Sequence, residues 1–167
     1  MSAEHKELYS LLIPLKQERL LVPRMCVAEV ITFAETQSVI GDDVPDWYLG
    51  TVEWNGRQLP VVSFDGSRAD DAASKKRGRT RIVVFHAITR QLKGGYYGIL
   101  TQGFPQLVRV NEDVLTLDPE WSGDDGQPVL CRVRMIHEYP LIPDVERLEE
   151  MVADVLQSAQ VAPEGLQ

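Results

Sequence analysis

Residues 46–65 read DWYLGTVEWNGRQLPVVSFD, two apolar runs around an Asn55-Gly56 pair. Asn and Gly both tolerate the positive φ that a tight type I′ turn requires, which makes Asn-Gly the strongest short hairpin signal. The spacing therefore predicts two antiparallel strands. One is Leu49-Gly50-Thr51-Val52-Glu53-Trp54, and the other is Arg57-Gln58-Leu59-Pro60-Val61-Val62-Ser63-Phe64. Pro60 has no N–H for a ladder, so it belongs at an edge, a bulge or a bend.

A chain of 167 residues is one ordinary domain or two small lobes sharing a core. The hydrophobic fraction of 44% and the charged fraction of 25% describe a soluble globular protein. A net charge of −8 and a pI near 4.9 argue against nucleic acid, whose phosphates require a concentrated basic face, and against an anionic membrane surface. The first residues, MSAEHKELYSLLIPLKQERL, contain acids and no continuous apolar stretch, so no secretory signal is expected. Nowhere do the roughly 18 apolar residues of a membrane span run together, so no membrane insertion is expected and a cytoplasmic location is. Cys26 and Cys131 lie in strand-like apolar runs, where reduced thiols are expected and a disulfide is the alternative.

Along the chain the strand signals repeat. Leu8 to Leu15 and Leu20 to Pro23 flank a turn at 16–19, and a further β-rich piece runs from Arg24 to Ile31. Residues 36–48 read as a loop. Residues 65–79, DGSRADDAASKKRGR, contain no large apolar side chain to offset the entropy of ordering, and are expected to be a mobile loop and the seam between halves. Residues 80–88 and 96–101 read as paired strands, 104–110 extends the pattern, and 118–128 is a loop. Residues 129–136 and 140–143 read as a second pair joined by a turn at 137–139. From Asp144 on, Val145, Leu148, Met151, Val152, Val155 and Leu156 take helical spacing behind an N-cap aspartate. The helix is expected to give way to a disordered tail over 158–167.

A degenerate repeat relates the halves: Leu20-Leu21-Val22-Pro23 stands to Leu59-Pro60-Val61-Val62 as Gly98-Ile99-Leu100-Thr101 stands to Tyr139-Pro140-Leu141-Ile142. The expected architecture is mainly β: two small barrel lobes, one over about 20–80 and one over about 81–140, with exchange of the N-terminal strands open, packed on a shared core within a domain of residues 1–157.

Catalytic and metal signals are sparse. The three histidines, His5, His86 and His137, have no ligand spacing, the cysteines form no CxxC, and no nucleophile elbow or Gly-rich phosphate loop occurs. The acid pairs Asp42-Asp43, Asp70-Asp71 and Asp124-Asp125 fall in loops and read as turn chemistry. No cofactor and no enzymatic activity are expected. Trp54, at a hairpin shoulder, reads equally as core or as interface. A strand-rich chain without an assembled reactive group is most economically a binding module.

The run from Gly50 to Phe64 resembles the central signature of the CheW-like family, approximately G-v-x-N-L-R-G-x-x-l-P-V-x-D-L. The likeness extends to Leu12-Ile13-Pro14 through Leu21-Val22-Pro23, to Val27-Ala28-Glu29-Val30, to the strand pair at 82–85 and 98–100, and to residues 141–148. The resemblance implies two five-stranded SH3-like barrels around a shared hydrophobic core and a non-catalytic adaptor. Its partners would be the regulatory domain of a CheA-type histidine kinase and the cytoplasmic tip of a chemoreceptor. Carried over to this sequence, the implied partner-binding residues are Val27, Glu29, Val30, Gly50 and Gly56, joined by Trp54, Asn55 and Arg57 of the hairpin.

Departures from the pattern are specific. The family arginine is Asn55 and the family asparagine is Glu53; losing a charge-assisted hydrogen bond costs about 1.5–3 kcal/mol, about tenfold or more in affinity. Arg57 stands close enough to compensate in part. In the second half, G-x-x-V-D becomes Gly98-Ile99-Leu100-Thr101-Gln102. These changes imply a divergent adaptor of the accessory kind found in chemosensory systems controlling type IV pili and twitching motility. The competing expectation is a small-ligand sensor barrel using Arg77, Arg79 and Arg81.

Overall fold

The computed structural model describes residues 7–33, 44–64, 79–123 and 126–161. Eleven strands and one helix are present among them: β1 (Leu8–Pro14), β2 (Arg19–Pro23), β3 (Val27–Thr32), β4 (Tyr48–Trp54), β5 (Arg57–Val62), β6 (Arg81–His86), β7 (Tyr96–Thr101), β8 (Gln106–Val110), β9 (Leu115–Leu117), β10 (Val129–Met135), β11 (Leu141–Pro143) and α1 (Val145–Val161). A 3₁₀ turn over Arg24–Cys26 separates β2 from β3. The strands form a six-stranded sheet, β8-β1-β2-β11-β10-β9, and a five-stranded sheet, β3-β6-β7-β5-β4, the two SH3-like lobes of a mainly β fold.

The central hairpin forms as its turn residues dictate. Asn55 and Gly56 take φ of 48° and 74°, and Trp54 pairs with Arg57 across them. Pro60 lies opposite Thr51 of β4, and the ladder to β7 begins only at the next residue, where Val61 faces Gly98. At Pro60 strand β5 is still an edge on its β7 side, so no donor is missing. β5 ends at Val62; the chain then turns away, with Ser63 N–H donating to the Trp47 carbonyl at 2.7 Å.

The repeat seen in the sequence is real at the level of topology, and it corrects the expected division into lobes. Its four segments are the strands of the two parallel ladders, β2 with β11 (Leu20 opposite Leu141) and β5 with β7 (Val62 opposite Ile99). Each ladder joins strands from different halves. The hairpin β1-β2 of the first half completes the sheet of β8 to β11, and the hairpin β6-β7 of the second half completes the sheet of β3 to β5. The lobes are thus composed of β3 to β7 and of β1 and β2 with β8 to β11, instead of meeting at residue 81. A sequence repeat gives the order of strands but not which copy closes which sheet. Pro140 stands immediately before Leu141 as Pro60 stands before Val61, and the turn residue Ile136 takes φ of 25° where Asn55 takes 48°.

The six-stranded sheet carries β9, a three-residue strand too short to be legible in the sequence. Helix α1 runs to Val161, beyond the expected start of the tail at 158. Its N-terminus is capped as expected, with Asp144 Oδ1 accepting from Arg147 N–H at 3.1 Å. The expected loop over 65–79 apart from Arg79, most of the 36–48 loop, all three acid pairs and the tail beyond 161 lie outside the described residues.

Three apolar clusters hold the fold. Val52, Leu59, Val61, Ile82, Val84 and Leu100 fill the five-stranded lobe. Leu12, Leu21, Val110, Val133 and Met135 fill the six-stranded one. Between them Ile13, Leu20 and Val22 meet Val62, Val83, Phe85, Tyr97 and Ile99, together with Leu148, Val152 and Val155 of α1. Strand β6 shows why its sequence is an unbroken apolar run: Ile82 and Val84 enter the lobe interior while Val83 and Phe85 enter the shared core. Cys26 and Cys131 are both free and half-buried, and burial pushes both thiols up from their ordinary range.

Candidate functional site

Strands β3 and β4 are the two ends of the five-stranded sheet, yet the sheet curls far enough to bring them together. Trp54, the last residue of β4, donates its indole Nε1–H to Glu29 Oε2 of β3 at 2.7 Å. Glu29 reaches this position because of an irregularity in the β3-β6 register between Val27 and Glu29. The Trp54 ring is half-buried and packs on the cluster inside the lobe, with Ile31, Leu49 and Tyr96 beside it. Its ring closes the lobe interior while its polar edge lies at the surface.

Tyr96, the first residue of β7, extends the face. Its ring meets Trp54 edge-on at 4.9 Å and His86 at 5.3 Å. The Arg57 guanidinium lies over the same ring, 5.2 Å from its centroid, while Arg57 Nη1 donates to the Gly94 carbonyl at 3.0 Å. The exposed Arg57 is thereby held flat by a ring and a carbonyl, with donors of its planar fork left for an incoming carboxylate. Glu29, Trp54, Tyr96, Arg57 and His86 form one continuous surface of aromatic rings between charges of opposite sign. This composition suits a protein interface anchored by Trp, Tyr and Arg.

The structure separates the residues that the sequence had grouped. Glu29, Trp54 and Arg57 come together. Asn55 and Gly56 are exposed at the hairpin tip beside them. Val27 and Val30 are half-buried against the shared core, and Gly50 is buried at a register shift of β4 with φ of 112°. These three lie in the sheet behind the face: the register shift between Val27 and Glu29 breaks the strand's two-residue alternation, so that Val27 and Val30 both pack on the shared core while Glu29 meets Trp54. Tyr96, His86 and Gly94 were not assigned to a binding face in the sequence. They arrive from the β6-β7 hairpin, and only the strand exchange places them beside β4.

No group of three or more potential metal ligands occurs among the described residues. Of the arginines of the sensor reading, Arg81 lies over the Phe104 ring at 4.5 Å and donates to the Thr80 carbonyl, and Arg77 falls outside the described residues. A shallow cavity of about 130 Å³ borders the aromatic face, lined by Pro60, Leu92, Lys93, Tyr96, Ala153 and Leu156 among others. No helix among the described residues is long and apolar enough to cross a membrane.

Two intertwined SH3-like lobes bearing an aromatic surface define a β-rich scaffold fold. The crystal structure of the scaffolding protein TtCheW from Thermoanaerobacter tengcongensis superposes on it with a TM-score of 0.58, at 16% identity over 83% of this chain and 89% of that one, a likeness that speaks for the fold alone. The CheW-like domain profile matches residues 10–153, and the chain belongs to the CheW-like domain family, a family of non-catalytic scaffolding adaptors of chemotaxis. Among curated proteins, none matches the sequence significantly.

Proposed function

We propose that this protein couples a chemoreceptor to a CheA-type histidine kinase, with the Glu29-Trp54-Tyr96-Arg57 face as its contact for the kinase regulatory domain. The carrying observation is the joining of the two sheet ends by Trp54 and Glu29, which presents an aromatic anchor already fixed in place. A side chain ordered before binding loses less entropy on docking. The receptor's helical tip is the second partner, and neither contact involves covalent chemistry. Asn55, Glu53 and Thr101-Gln102, in place of the family's arginine, asparagine and aspartate, support membership of a divergent branch, an accessory adaptor in a system controlling type IV pili and twitching motility.

The test is separate titration of the wild type and Asn55→Arg against a kinase regulatory domain and a receptor tip. Wild type binding to at least one of them is expected, and the arginine should tighten the kinase contact by about tenfold while leaving the receptor contact unchanged. Failure of the wild type to bind either partner at high micromolar concentration contradicts the proposal.

A further inference from the structure

Helix α1 carries a carboxylate where its neighbours are apolar. Glu149 is fully buried, next to Leu148 and one turn from Val152, both of which pack in the shared core. Its partners are three donors from two adjacent residues of the β6-β7 connection. Ile88 N–H donates to Oε2 at 3.0 Å, Thr89 N–H to Oε1 at 2.9 Å, and Thr89 Oγ1–H to Oε1 at 2.7 Å. An apolar residue would serve helix packing at position 149 without the cost of burying a carboxylate. What the carboxylate adds is a fixed geometry for the connection it holds.

That connection leads directly to the aromatic face. Thr89 Oγ accepts from the Gln91 backbone and side chain, Leu92 is buried in the shared core, and Gly95 N–H donates to the Leu92 carbonyl at 3.1 Å. Gly94 supplies the carbonyl that holds Arg57, and Tyr96 supplies the ring beneath Arg57 and beside Trp54. We infer that Glu149 is a positioning residue for the docking face: by clamping Ile88 and Thr89 to α1, it fixes the β6-β7 connection that sets Gly94, Arg57 and Tyr96. The functional consequence rests on the proposed kinase contact, whereas the positioning itself does not.

The experiment compares Glu149→Gln, which keeps the shape but turns one acceptor into a donor facing the N–H of Ile88 or of Thr89, with Thr89→Val, which removes the hydroxyl's bond to Glu149 and the two it accepts from Gln91. The exposed Asp154→Asn on the same helix is the control. In the full-length chain, both variants should raise amide exchange across residues 87–95 by about tenfold or more and move the Trp54 indole N–H resonance, with no change in the control. Affinity for the kinase regulatory domain should fall by about threefold to tenfold, and this loss should vanish in an Arg57→Ala background.

Unchanged exchange and an unmoved resonance in both variants would overturn the inference, as would an affinity loss fully additive with Arg57→Ala. Should Glu149→Gln fail to fold, Thr89→Val decides. If the wild type does not bind the kinase domain, the functional reading fails while exchange and the indole resonance still decide the positioning.

Discussion

Trp54 and Glu29 lie on opposite ends of the five-stranded sheet and share a 2.7 Å hydrogen bond. Because the acceptor is exposed, the bond contributes modestly to stability. Its function is to tie two otherwise open sheet ends at the surface. Trp54→Phe keeps an aromatic ring, though a smaller one, and removes the donor, and Glu29→Ala removes the acceptor; the cycle cancels the packing lost with the indole. A double-mutant cycle on urea unfolding is expected to give a coupling of about 0.5–1 kcal/mol, and a coupling indistinguishable from zero would show that the contact does not join the strands.

Tyr97 is fully buried in the shared core, and its hydroxyl has no hydrogen-bond partner. Burial, with Glu149 and then Cys26 nearby, pushes the phenol well above its ordinary value of 10.0, and burial raises Tyr48 as well. The native state therefore retains these protons at a pH where the unfolded chain has released them. The associated stability is intact below about pH 10 and is lost as pH rises above it. Tyr97→Phe should gain about 0.5–1 kcal/mol at neutral pH by removing an unpartnered hydroxyl, and should flatten the alkaline decline in stability. Chemical denaturation at pH 7 and at several values above 9 reads both effects; a less stable variant at pH 7 with an unaltered alkaline slope contradicts this account.

Gly98 is where the parallel ladder to β5 begins, and it has no room for a side chain. A Cβ there would stand 2.6 Å from Ile82 Cγ2 and 3.3 Å from Leu59 Cδ2. Ile82 is β-branched and fully buried, so it cannot swing aside. Gly98→Ala is expected to cost about 2 kcal/mol, a fall in Tm of roughly 4–8 °C by thermal unfolding, and a variant as stable as the wild type would mean that β5 and β7 are not packed this closely.

Much of this architecture was legible because it rests on local chemistry. Asn55-Gly56 dictated its own turn, Asp144 its own cap, and the unbroken run in β6 its burial on both faces. The two halves were legible as a repeat, since their parallel strands carry related residues. Which half closes which sheet was not, because Leu20 opposite Leu141 and Val62 opposite Ile99 are contacts between segments far apart in sequence. The face inherited the same blind spot. Glu29, Trp54 and Arg57 were marked in the sequence, but Tyr96 and His86 join them only through the exchanged hairpin, and Glu149 looked like one more acid on an amphipathic helix. Val27, Val30 and Gly50, which the resemblance implied as partner-binding residues, lie in the sheet behind the face.

The claim that the aromatic face is the kinase contact is tested most directly by following the indole N–H resonances of Trp47, Trp54 and Trp121 while a kinase regulatory domain is added. Trp47 and Trp121 pack against the shared core, so each serves as an internal control. The Trp54 signal should shift or broaden with occupancy while the other two stay in place, and Trp54→Ala should weaken binding by about tenfold or more. Binding that leaves the Trp54 signal unmoved, or that survives Trp54→Ala at full strength, would place the contact elsewhere on the molecule.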